Sequence, residues 1–210
     1  NPLTTGSNLE DDDRVARWVG RPDTRLDFYQ EGSNDMPRYE IAQGVEGSLH
    51  FPNAAKFMNL VETGTTTPTF VALPSAFTVL IRCQPTSLTT ARGILGQTSS
   101  ETEFIRFGAG ASNLDDSVRM KIDNTAIDFT GGGSDVFPTN EFTNLLIERS
   151  SSNVCKMYVY SNTYKDEASG TEWGNESTKS GTATFDNLGC QDDDSTNFQG
   201  YISDVIIWSS

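Results

Sequence analysis

A long polar segment, residues 161–182, has a composition suited to binding a sugar. Sugar recognition needs an aromatic plane for the apolar face of the ring, together with amides or carboxylates for its hydroxyl groups. This segment and the residue before it supply both. The candidate ligand-binding residues are Tyr160, Tyr164, Asp166, Trp173 and Asn175.

The side chain of Trp173 can take one of two positions. A large apolar side chain seldom stays wholly in water. The indole either remains exposed for a partner or folds back and packs onto the protein. Segments of this length without a core pattern are functional or mobile. We therefore treat Trp173 as a candidate ligand contact, with packing onto the protein as the alternative.

Glycosidic bonds are cleaved by a pair of carboxyl groups, one acting as acid and the other as nucleophile. Glu101 and Glu103 alternate along one predicted strand and are the nearest candidate pair. The next residue in the same phase is Ile105, so no third acidic residue follows them. Glu172 and Glu176 lie in the polar segment, which is a poor support for two carboxylates that need catalytic precision. The sequence predicts a protein that is not an enzyme, with a glycan hydrolase or lyase as the least favoured alternative.

Histidine and cysteine offer no catalytic or metal centre. His50 is the only histidine, and no nucleophile elbow of the GxSxG type accompanies it. Its alternation with Leu49 and Phe51 predicts a side chain on the outer surface of a sheet. Cys83 and Cys155 share the phase of apolar neighbours and are expected to be buried. The paired CxxC spacing of zinc sites is absent.

The composition argues against several classes of partner. Fifteen basic and twenty-nine acidic side chains give a net charge of −14, which repels nucleic acid and anionic membrane surfaces. No apolar run reaches the roughly 18 residues of a membrane helix, and the first residues lack the basic and apolar parts of a signal peptide. We expect neither nucleic-acid binding nor membrane insertion.

Short stretches with a period of two residues dominate the chain, and segments rich in Gly, Ser, Thr, Asn and Asp separate them. No sustained helical pattern appears. The length suits one β-sandwich domain. Residues 1–42 are more charged and less regular, so we expect an N-terminal arm or edge segment there and the sandwich over residues 43–210.

Five stretches in this order resemble the laminin G-like, concanavalin A-like jelly roll of phage and bacterial surface proteins. They are GSLHFPN (47–53), LPSAFTVLIRCQP (73–85), GILGQ (93–97), FTNLLIERSSSNVCKMYVYSN (142–162) and FDNLGCQDDDSTNFQGYISDVIIWSS (185–210). The resemblance implies an all-β, two-sheet antiparallel jelly-roll sandwich. It also implies a recognition module that binds surface carbohydrate or a protein partner, in a virion appendage or a secreted adhesin. The alternative is a purely structural virion protein that contacts neighbouring subunits.

The same resemblance bears on three adjacent carboxylates, Asp192, Asp193 and Asp194. Their spacing begins like a helix-loop-helix calcium loop, but Thr196 and Asn197 break the pattern. Laminin G-like domains often hold Ca²⁺ at one rim of the sandwich, so the resemblance makes these residues candidate metal ligands. The alternative is a solvated charged loop.

The last strand changes phase. Ile202 stands in one register, whereas Val205 and Ile207 stand in the other. A β-bulge near Ser203 would turn all three towards the core, since a bulge adds one residue to one strand only. Trp208 would then point outward or cap the end of the sandwich.

Overall fold

The computed structural model describes residues 14–15, 17–19, 26–32, 35–42, 45–52, 57–108, 115–131, 136–139, 141–161, 171–173, 177–191 and 196–209. In this part of the chain all regular structure is β, and no helix long and apolar enough to cross a membrane occurs there. The strands are β1 (Arg17–Val19), β2 (Leu26–Tyr29), β3 (Arg38–Ala42), β4 (Val45–Phe51), β5 (Met58–Glu62), β6 (Val71–Leu73), β7 (Phe77–Pro85), β8 (Arg92–Gln97), β9 (Ser100–Phe107), β10 (Ser117–Ile122), β11 (Thr125–Thr130), β12 (Thr143–Arg149), β13 (Val154–Tyr160), β14 (Thr171–Glu172), β15 (Ser177–Thr178), β16 (Ala183–Phe185), β17 (Asn187–Leu188) and β18 (Gly200–Ser209).

Two large antiparallel sheets form a sandwich, which confirms the predicted jelly-roll architecture. The back sheet has the order β1-β2-β5-β17-β8-β9-β10-β11. The front sheet has the order β14-β13-β12-β7-β18-β4-β3, and β15 also pairs with β13. A small sheet joins β16 to β6. Some neighbouring strands, such as β7 and β18, are distant in sequence. The two large sheets each bury one apolar face against the other.

The core lies between the two large sheets and follows the alternation of the strands. In β7, Val79, Ile81 and Cys83 are fully buried, and the residues between them are partly exposed. Ile105 and Phe107 of the back sheet belong to the same buried cluster. Successive side chains of a strand point to opposite faces, so this alternation leaves a second, solvated face on the front sheet.

The described part of residues 1–42, where we expected an arm or edge segment, contains three strands. β1 is an edge strand of the back sheet, and β2 joins it to β5. β3 is an edge strand of the front sheet and pairs with β4. The boundary after residue 42 stays a prediction.

The closing strand has the predicted bulge. The pairing of β18 with β7 shifts register between Ile202 and Asp204, which leaves Ser203 as the extra residue. Ile202 is fully buried, and Val205 and Ile207 pack against the core from partly buried positions. The bulge therefore turns all three towards the interior, as the change of phase required.

Gly200 allows β18 to begin close to β7. Its φ of 137° is one that side chains rarely adopt, and a Cβ there would lie 2.1 Å from the backbone oxygen of Gln84. Only glycine permits both the conformation and the contact.

Candidate functional site

The outward-pointing residues of β7, β12, β13 and β18, with His50 of β4 and the adjoining Phe142, make up a surface that we call the front face. Their inward-pointing neighbours form the core, so alternation alone turns this set towards solvent. The strand residues of the front face are Thr78, Leu80, Arg82, Asn144, Leu146, Glu148, Lys156, Tyr158, Tyr160, Tyr201, Asp204, Ile206 and Trp208, and each is partly or fully exposed.

One end of the front face combines aromatic and charged groups. Cross-strand pairing sets Trp208 beside Thr78, Thr78 beside Glu148, and Glu148 beside Lys156, in one row across four strands. The indole of Trp208 is 50% exposed. Tyr158 and this row line a depression of about 560 Å³. Aromatic surface, carboxylate, ammonium and hydroxyl groups therefore meet in one place.

The other end of the front face holds a second aromatic group. The rings of His50 and Tyr201 are stacked, with centroids 4.5 Å apart, and Phe142 lies 6.3 Å from Tyr201. The guanidinium carbon of Arg82 lies 5.2 Å from the centroid of Phe142, a cation–π contact. All four side chains are partly exposed.

An aliphatic row separates the two ends. Ile206 pairs with Leu80 and Leu80 with Leu146, and the three side chains are partly exposed. The strand rise makes the distance from Thr78 to Gln84 along β7 about 20 Å. The front face is therefore a long strip with an apolar middle and aromatic, polar ends.

Of the predicted ligand residues, the structure places Tyr160 on the front face. Tyr160 is the last residue of β13, is partly exposed and pairs with Asn144, which itself pairs with Arg82. Tyr164, Asp166 and Asn175 lie outside the described residues, as do Asp192, Asp193 and Asp194. The calcium site at these aspartates stays a prediction.

Trp173 takes the alternative position, folded back onto the protein. Its side chain is fully buried, and its ring packs edge-on against Phe137 with centroids 6.0 Å apart. Its backbone N–H donates to the carbonyl of Met157 at 2.9 Å. The polar residues around Trp173 in sequence left both positions open, and the apolar cluster between the sheets accommodates the indole. In this structure Trp173 offers no stacking plane to a ligand.

Glu101 and Glu103 differ in their exposure to solvent. Glu101 is exposed, whereas Glu103 is only 6% exposed and its Oε2 has no hydrogen-bond partner among the described residues. Burial raises the pKa of Glu103, hydrogen bonds from Thr184 oppose this effect, and the charge of Asp123 adds to it. Of the second pair, Glu172 lies in β14, and Glu176 lies outside the described residues.

His50, Cys83 and Cys155 lie on the sides of their strands that the alternation predicted. His50 points to the outer face, where its Nδ1 contacts the carboxylate of Glu40. Cys83, Cys155 and Cys190 are buried thiols. Burial raises the pKa of Cys83 and raises that of Cys155 to about 11. Such thiols act as small apolar side chains, because the reactive thiolate is disfavoured.

Of the front-face residues, the sequence predicted only Tyr160 as a ligand contact. The alternation in β13 already separates Lys156, Tyr158 and Tyr160 from the buried Cys155, Met157 and Val159. It could not show which residues of other strands lie beside them, because that depends on the pairing order of the strands.

Comparison with known proteins identifies the family. Residues 61–210 match a family described as the Concanavalin A-like lectin/glucanases superfamily. No curated protein matches the chain. A similar solved structure is domain 4 of AbnA, a GH43 extracellular arabinanase from Geobacillus stearothermophilus, in complex with arabinotriose. It is 14% identical with a TM-score of 0.56, over 96% of this chain and 94% of that chain.

Two further solved structures are similar at lower TM-scores. The Ruminococcus gnavus IT-sialidase CBM40, bound to α2,3 sialyllactose, is 14% identical over 65% of this chain and 76% of that chain, with a TM-score of 0.44. A Bacteroides ovatus protein is 14% identical over 77% of this chain, with a TM-score of 0.43, and the chain spans about half of its length, 52%. At these identities the similarity concerns the fold. Because the family match covers most of the sequence, the chain belongs to the concanavalin A-like lectin/glucanase superfamily.

Proposed function

We propose that this protein is a non-enzymatic module that binds carbohydrate on its front face. The observation that carries the proposal is the half-exposed Trp208 with Tyr158, beside Thr78, Glu148 and Lys156 in one depression. Aromatic rings pack against the apolar face of a sugar, and the neighbouring polar groups hydrogen-bond its hydroxyls.

The shape of the front face favours an extended oligosaccharide over a single sugar. Its two aromatic ends are separated by an aliphatic row, and the strip is about 20 Å long. Charges of both signs line it, Lys156 and Arg82 among the cations and Glu148 and Asp204 among the anions. This mixture suits a neutral ligand with many hydroxyl groups better than one of high charge.

The fold comparison supports the proposal without identifying the sugar. The Geobacillus domain, similar in fold over nearly its whole length, was solved with arabinotriose. We therefore include arabinotriose among the ligands to be tested, with sialyllactose as an acidic alternative.

A glycan array tests the proposal, with binding constants then measured by calorimetry. Wild type should give a selective signal, and Trp208→Ala should weaken it about tenfold, the effect of one lost contact worth about 1.4 kcal/mol. Phe70→Ala is the matched control, because Phe70 is an aromatic residue 60% exposed outside the front face. A wild type that binds no glycan would favour the structural alternative. Equal binding by Trp208→Ala would refute the front face as the site.

The biological setting of the module stays a prediction. We propose a virion surface or an extracellular location, either as an adhesin or as part of a larger assembly with neighbouring virion subunits. The net charge of −14 is consistent with a module exposed to solvent. Measuring the copy number and contacts of this chain in its native assembly would test this setting.

A further inference from the structure

A cleft lies between the two large sheets, at the edge of β18. Its volume is about 430 Å³, within the roughly 300–1,000 Å³ of small-molecule sites. β4 covers the neighbouring edge of β18 only at Gly200–Ile202, so the cleft lies beside the part of β18 that follows the bulge. The apolar side chains that line it include Trp18, Phe28, Leu60, Leu73, Phe185 and Ile207.

One polar side chain stands out in this apolar lining. Asn187 lies in β17, at the middle of the back sheet, and is fully buried. Neither its Oδ1 nor its Nδ2 has a hydrogen-bond partner within the described residues. A buried amide left unpaired costs about 1–3 kcal/mol, so its presence in the lining indicates a site for a group that can pair with it.

The chemistry of the cleft limits what such a group can be. An asparagine amide both donates and accepts, so its best partner also does both, as a carboxamide or a hydroxyl group does. Asp204 is the one charged side chain among the described lining residues, and it is exposed. Its carboxylate would repel an anion, and burying an unpaired charge in apolar surroundings is costly.

We propose that the cleft between the sheets binds a small uncharged amphiphile. The walls hold its alkyl or aryl chain, and Asn187 hydrogen-bonds its carboxamide or hydroxyl group. The cleft shares Asp204 and Ile206 of β18 with the rim of the front face, and the proposal does not depend on glycan binding there.

The test uses N-phenyl-1-naphthylamine, an uncharged dye that fluoresces in apolar surroundings, with octanamide and octanoate as competitors. Wild type should take up the dye, and octanamide should displace it at a concentration at least tenfold lower than octanoate. Ala72→Trp should abolish uptake, because Ala72 is an exposed residue of β6 that lines the cleft. Ala126→Trp in β11, at the far edge of the back sheet, is the matched control and should leave uptake unchanged.

Asn187→Leu tests the polar contact separately. It should keep dye uptake but weaken octanamide binding at least tenfold.

The proposal is overturned if wild type takes up no dye, or if Ala72→Trp takes up as much as Ala126→Trp. Unchanged octanamide affinity in Asn187→Leu would overturn the role of the amide. If that variant does not fold, the two tryptophan variants still decide whether the cleft binds the dye. Glycan binding by Ala72→Trp should equal that of wild type.

Discussion

The imidazole of His50 stacks on the ring of Tyr201, with an interplanar angle of 17°. The two residues are direct cross-strand partners on β4 and β18. Because Trp208 lies near the other end of β18, this one strand supplies an aromatic group to each end of the front face.

The two aromatic ends should act independently on a long ligand. Tyr201→Ala and Trp208→Ala are each expected to weaken a long oligosaccharide about tenfold, and the double variant about a hundredfold, since distant contacts add. A disaccharide reaches only one end, so only one of the two variants should affect it. Calorimetry with an oligosaccharide series of increasing length checks this. Equal losses for short and long ligands would contradict a site that spans the strip.

Trp173 should matter for stability and not for binding. Replacing a fully buried Trp with Ala leaves a cavity, and Trp173→Ala is expected to lower the free energy of unfolding by about 3–5 kcal/mol. Urea denaturation measures this loss, and the folded fraction should bind glycan as wild type does. If affinity fell while stability held, Trp173 would be a ligand contact after all.

Substitution of Arg149 should lower the free energy of unfolding more than substitution of an exposed charged residue does. The residue is 2% exposed, and its guanidinium donates to the carbonyls of Leu73, Ser75 and Gly181. Arg149→Met leaves these acceptors unpaired and should cost about 3 kcal/mol or more. Arg149→Lys should restore only part of the loss, because one ammonium cannot reproduce the planar fork.

The matched control for Arg149 is Arg119, which pairs with Asp128 at 2.6 Å on the exposed surface of the back sheet. Arg119→Met is expected to change the free energy of unfolding by about 1 kcal/mol or less, as exposed ion pairs do. Chemical denaturation of the three variants gives the comparison. Similar losses for Arg149→Met and Arg119→Met would refute the role of the buried guanidinium.

Glu103 should make stability depend on pH. Its pKa is raised in the folded state, so the folded protein holds the proton to a higher pH than the unfolded chain does. Stability is therefore lost as pH rises from the ordinary glutamate pKa through the raised one. Glu103→Gln removes this loss, so its melting temperature should exceed that of wild type at about pH 7 and approach it at about pH 4.

The exposed Glu101 provides the control for this pH dependence, and Glu101→Gln should follow wild type at both pH values. Thermal melts followed by circular dichroism are sufficient. A difference between Glu103→Gln and wild type that grew towards low pH would reverse the sign and contradict the buried position of this carboxyl group.

Alternation of apolar residues made the sandwich predictable, because each strand of a sandwich buries one of its two faces. The phase change in β18 even indicated the bulge, since Ile202, Val205 and Ile207 had no other way to share the interior. The candidate site was harder to predict. The polar neighbours of Trp173 carry no sign of Phe137, which packs on it from a separate segment. The row from Trp208 to Lys156 exists only through the order β18-β7-β12-β13, and no local pattern specifies that order.

The bulge makes Ser203 the one surplus position of the closing strand. Deleting Ser203 would leave a regular strand in which Asp204, Ile206 and Trp208 keep their outward direction. Deleting Val205 instead has two possible results: if the bulge stays, Trp208 turns inward, and if the bulge is lost, Asp204 takes the partly buried position of Val205 opposite Ile81. Shortening the strand by one residue is thus tolerated at the bulge itself, whereas a deletion after it turns either an aromatic residue or a carboxylate to the wrong side of the strand.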